Sequence, residues 1–87
     1  MDGSWTTREE DLATEAAVLH RILDVHPARL TKPELIRELA GEEASFEQSD
    51  AVERAVRDLA GVGLVHGSDD FVTPTRAAIR CQELLRL

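Results

Sequence analysis

The stretch DAVERAVRDLAGVGLVHGSDDFVTPT, residues 50–75, sets the reading of this chain. Its first half places Val52, Val56 and Leu59 at helical spacing with Ala55 beside them, and the run ends near Gly61, with Gly63 starting a turn. Ser49 or Asp50 is positioned to cap that helix, predicted over 50–61. Two short extended runs follow, Leu64-Val65-His66 and Phe71-Val72-Thr73, and the polar turn 67–70 between them makes a hairpin. Pro74 stops the second run because proline brings no ladder donor. Thr75 is then a fitting N-cap for a last helix over 76–86, with Ala77, Cys81, Leu84 and Leu85 on one side.

Upstream, Thr7 and Glu10 stand at capping-box spacing, and Leu12, Ala16, Leu19 and Leu23 recur at helical intervals, so a first helix is predicted over 7–25. Val18, Ile22 and Val25 form a second, adjoining stripe that meets either the last helix or another chain. Ala28-Arg29-Leu30 reads as a short extended link. Thr31-Lys32-Pro33-Glu34 opens a second helix, 32–40, with a second capping box and an early proline, and Gly41 ends it. Residues 41–49 read as a polar connection in which Phe46 staples the third helix.

The chain has 87 residues, the size of one domain with an economical core and no room for a deep enzyme cleft. Seventeen acids face ten bases, a formal net charge of −7 that weighs against non-specific attraction to polyanions and membranes. The deficit is uneven: residues 1–49 hold 11 acids and 5 bases, whereas 50–87 hold 6 and 5, so basic character is concentrated in the second half. A single cysteine excludes an internal disulfide, and no apolar run reaches the ~18 residues of a membrane span. A cytoplasmic protein is the expectation. His20, His26 and His66 lack metal-ligand spacing, Cys81 reads as a buried inert thiol, and no catalytic constellation or cofactor motif stands out, so neither an enzyme nor a metal or cofactor site is expected.

The order of three helices, a two-stranded wing and a fourth helix resembles the winged helix-turn-helix domains of bacterial transcription regulators. The resemblance rests on Leu30-Thr31-Lys32-Pro33-Glu34-Leu35, on Val52, Val56, Leu59 and Gly63-Leu64-Val65, and on Phe71-Val72-Thr73-Pro74-Thr75, covering about residues 30–78. It implies a mainly α fold with a small β-hairpin: a three-helix core, a wing over 64–73 and a C-terminal helix. It also implies regulation of transcription through double-stranded DNA, with the third helix in the major groove, and a homodimer built by the first and fourth helices. The chain departs from the family at the wing, where Asp69 and Asp70 stand in place of a basic residue.

On that resemblance the DNA-binding candidates are Arg54 and Arg57 on the third helix, joined by Lys32, Arg37 and Arg76 if these share its side. Arginine is a natural reader of guanine O6 and N7. Asp50 and Glu53, each four residues earlier, offer both arginines a surface pair within their own helix instead. Arg29 is a further base that would have to lie on that side, Arg80 with Arg76 near the start of the fourth helix is placed to reach a phosphate beside the wing, and Trp5 either lies across the first and last helices or anchors a partner. The rival reading is a winged helix that docks on another protein through its apolar flank and never meets nucleic acid.

Overall fold

Val18 and Ile22 from one helix, Leu35 from a second and Val72 from a strand are the largest fully buried side chains, so the core is assembled from both structural classes. The computed structural model describes residues 3–67 and 70–87, with side chains from residue 8 onward. The described elements run α1 (Gly3–Val25), β1 (Leu30–Thr31), α2 (Lys32–Ala40), α3 (Phe46–Gly61), β2 (Val65–His66), β3 (Phe71–Pro74) and α4 (Arg76–Leu85). The fold is mainly helical, with a small antiparallel sheet in the order β1-β3-β2.

Local chemistry accounts for the helix starts. The Thr31 hydroxyl accepts the Glu34 N–H at 3.2 Å while the Glu34 carboxylate accepts the Thr31 N–H at 2.8 Å, a reciprocal box that satisfies two otherwise orphaned donors. The Glu34 carboxyl is held below its ordinary range by accepting first the Thr31 N–H and second the Thr31 hydroxyl, the latter at 3.1 Å. Gly41 ends α2 at φ +93°, where a side chain would be strained, and its N–H reaches the Arg37 carbonyl at 2.9 Å. Thr75 caps α4 by accepting the Ala78 N–H and donates to the Gly63 carbonyl at 2.7 Å, tying the last helix to the turn after α3.

The sheet is closed by β3, which pairs Leu30 with Val72 on one side and Val65 with Pro74 on the other. Alternation then sends Val65 and Val72 into the core and leaves His66 and Phe71 outward. Val52, Ala55, Val56 and Leu59 of α3 cover the same core from the helical side. An ion pair between Arg21 of α1 and Glu38 of α2 crosses the outer edge of the helical layer and raises the arginine's affinity for its proton.

Several expectations are corrected. The third helix begins at Phe46 and not at 50, because Ser45 accepts the Gln48 N–H at 3.1 Å and Gln48 accepts the Ser45 N–H at 2.9 Å, a capping box upstream of Ser49 and Asp50. Phe46 therefore becomes a first-turn residue on the outer side of the helix and is 85% exposed, so it staples nothing. Helix α1 starts at Gly3, which puts Thr7 inside it and not at its cap. Of the two stripes on α1, packing against α3 and β3 buries Val18 and Ile22, while Leu12 of the expected main stripe stays half exposed. The link after Pro27 contains a true strand, β1, because β3 has a free edge to pair with it. The hairpin strands are 65–66 and 71–74, one residue later than 64–73 implies: the first omits Leu64, and the second runs through Pro74, which pairs with Val65 and does not stop it. Cys81 is exposed, because α4 turns Ala78 and not Cys81 toward the core. The Trp5 side chain and the wing-turn residues Ser68 and Asp69 lie outside the described set.

Candidate functional site

The outward surface of α3 carries Glu53, Arg54, Arg57 and Asp58, and the two arginines point to different neighbours. Arg54 leans toward α1: its guanidinium lies 3.4 Å from the Asp50 carboxylate and 3.7 Å from Asp11. Its Nε is shut from solvent without a hydrogen bond, so the arginine is held by charge and not by a well-aligned contact. Arg57, one turn after Glu53, forms no ion pair with it or with any other carboxylate among the described residues.

Arg57 instead lines a notch of about 460 Å³ together with Lys32 from the start of α2 and His66 from β2. Glu53 is the single acid in its lining among the described residues, and Val56, Ala60 and Val65 give it an apolar floor. The backbone at Gly67 passes so close to α3 that an added Cβ would sit 3.1 Å from Val56 Cγ1. A side chain there would push the wing away from the helix or fill the notch's edge. Neither Lys32 nor His66 is ion-paired among the described residues.

The other candidates do not join this notch. Arg37 lines a separate hollow of about 420 Å³ with Pro33, Ile36, Gly41 and Glu42, on the outer side of α2. Arg76 shares a shallow recess with Arg80 and Glu83 on α4, where Arg80 lies 3.4 Å from Glu83. The Arg29 guanidinium stacks 4.8 Å above the Phe71 ring, a cation–π contact on the wing strand. Of the five DNA-binding candidates, then, Lys32 and Arg57 come together, and Arg54, Arg37 and Arg76 each face elsewhere. His66 is the addition that the sequence reading passed over. The signal was present: with Val65 inward, strand alternation sends His66 outward beside α3.

A second feature lies between α1 and α4. The two helices flank a groove of about 510 Å³ walled by Leu19, Leu23, Leu64, Ala78 and Leu85, with Asp24 and Arg86 at its rim. Among the described residues no group of three or more His, Cys, Asp or Glu is placed to hold a metal ion, and no helix is long and apolar enough to cross a membrane. No family model, curated protein or solved structure matches the chain.

Proposed function

We propose that this chain is a small winged-helix transcription regulator that binds duplex DNA with α3 as its reading helix. Support for the winged-helix reading comes from the order α-β-α-α-β-β-α and from a sheet in which β1 joins the outer edge of the hairpin strand β3. The observation that carries the DNA reading is Arg57, without an ion pair among the described residues, sharing one notch with Lys32 and His66 where α2, α3 and β2 meet. In a molecule with a net charge of −7, two cations and a histidine from three elements beside a single described carboxylate, Glu53, are an exception to the general balance. Arg57 is the residue assigned to base or phosphate contact, Lys32 supports it, and Arg54 is held in reserve by its carboxylates. The test is a titration of a mixed-sequence duplex at low salt with wild type and Arg57→Ala. Binding that falls steeply with salt and weakens in the variant supports the reading, and no binding to any duplex at low salt removes it.

The α1–α4 groove favours a second element of the proposal, a homodimer. Its walls are apolar, its rim carries Asp24 and Arg86, and two-fold pairing sets each of these against its opposite in the second copy. Leu85 and Leu84, 86% and 58% exposed, gain cover in that arrangement. Light scattering that reports a mass of one chain at high concentration would remove the dimer. The same groove carries the rival reading, docking on a different protein, and a chain that binds no duplex yet associates through Leu19 and Leu23 would establish it.

A further inference from the structure

The notch between α2, α3 and β2 has a chemistry of its own. Lys32, Arg57 and His66 approach it from three elements, over a floor of Val56, Ala60 and Val65 that offers no competing hydrogen-bond acceptor from side chains. Three cationic or protonatable donors converging from three elements on one hollow match the opposite charge of an oxyanion better than a neutral base edge. Among the described residues, the elements packed around His66 present one negative group, Glu53 of α3, and two positive ones, Lys32 of α2 and Arg57 of α3. Thr73 stands opposite His66 on β3 and brings no charge, and Asp70 of the wing turn does not line the notch.

We infer that the notch seats one phosphate of the DNA backbone and that protonation of His66 strengthens this contact, which makes DNA binding sensitive to pH near neutrality. The inference rests on the DNA-binding reading and gives the α2–α3–wing junction a specific task. Arg57 and Lys32 supply permanent charge, and the His66 imidazole, which donates through one nitrogen when neutral, adds a positive charge and a second N–H donor when protonated. Histidine is the side chain whose ordinary charge change falls between about pH 5 and 8. The sign follows directly: a bound phosphate favours the imidazolium, so affinity rises as pH falls. Carboxylates stay ionised down to about pH 6, so they add little to the change in that window.

The experiment is a titration of a mixed-sequence duplex at fixed low salt, at about pH 8 and about pH 6, with wild type, His66→Gln, His20→Gln and Arg57→Ala, followed by NMR of the imidazole resonances. An inorganic-phosphate arm runs beside it. Wild type is expected to bind about two- to fivefold more tightly at the lower pH, the scale of one added exposed charge contact. His66→Gln is expected to bind with no such change, and His20→Gln to keep it. Arg57→Ala lowers the salt exponent by about one. If the duplex binds and the pH effect survives in His66→Gln, the inference falls while the DNA reading stands. Absence of duplex binding at both pH values overturns the DNA reading itself. Binding of inorganic phosphate alone, with a shift at His66, overturns the assignment to the DNA backbone.

Discussion

Replacing Ser45 by alanine tests where α3 begins, and therefore how its outer face is registered. Two hydrogen bonds depend on that position: the Ser45 hydroxyl accepts the Gln48 N–H at 3.1 Å, and the Gln48 side chain returns to the Ser45 N–H at 2.9 Å. Alanine removes the first outright and loosens the second, since the reciprocal geometry no longer holds Gln48. The expected loss is about 1 kcal/mol, within the range of about 0.5–2 for such caps. A domain of this size has a total stability of roughly 4–13 kcal/mol, so the change is measurable and leaves the fold intact. It corresponds to a fall in Tm of about 4–8 °C. Ser49→Ala is the matched control with the opposite sign. Ser49 lies inside the helix with its N–H already bonded to the Ser45 carbonyl at 3.0 Å, so alanine there improves helix propensity by up to about 0.5 kcal/mol. Both variants are to be compared by urea and thermal unfolding followed by far-UV circular dichroism, with Ser45→Asp as a cap-preserving replacement. A destabilising Ser49→Ala together with a silent Ser45→Ala would refute this registration and restore a helix start near residue 50.

The other predictions draw on the core, the surface thiol and the α2 cap. Leu35→Ala empties a fully buried position beneath α2 and is expected to cost about 3–5 kcal/mol in urea unfolding; a loss below about 1 kcal/mol would show that the site collapses or was never packed. Cys81 is exposed, so native protein is expected to react with a thiol reagent at the rate of the urea-unfolded chain, and strong protection would contradict its placement on α4. Glu34 has a carboxyl held below its ordinary range by Thr31, so its contribution is present above the unfolded carboxylate range and is lost as pH falls through the lower, folded value. The gap in Tm between wild type and Glu34→Ala is therefore expected to close on acidification from neutral pH, and a gap that widens would reverse the assignment.

What the sequence made legible follows the strength of its local signals. The second helix is recovered over 32–40 because Thr31, Pro33, Glu34 and Gly41 each mark a boundary by a separate mechanism. The hairpin is recovered because glycine and polar residues bracket two β-prone runs. Two capping signals compete at the start of α3, Ser45 with Gln48 and Ser49 or Asp50, and periodicity beginning at Val52 does not choose between them. On α1 both stripes are apolar, and only contact with α3 and β3 selects Val18 and Ile22. The site was legible as residue types but not as a grouping. Asp50 four residues before Arg54 announces one surface pair, yet Asp11, the second carboxylate beside Arg54, is brought there by tertiary packing. Glu53 and Arg57 have the same spacing and both line the notch beside β2, yet they do not come within ion-pair distance.

The charge balance constrains how this chain can bind DNA. Lys32, Arg57 and a protonated His66, gathered at one backbone phosphate, bring about three positive charges to the duplex and so a salt exponent of at most about −2.7, with affinity falling up to about 40-fold between about 50 and about 200 mM salt. The remainder of the molecule is acidic and adds no further counterion release to strengthen binding. A single copy on the proposed reading is therefore a low-salt binder. Two copies joined through the α1–α4 groove present two notches to one duplex, which about doubles the exponent and makes the second contact effectively intramolecular. Leu23→Glu, placed in the groove and away from the notch, is expected to return the exponent to about −2.7 without altering contact at Arg57. An exponent near −5 from a protein that light scattering shows to be a single chain would require cations beyond the notch, and would return Arg37, Arg54 and Arg76 to the DNA surface.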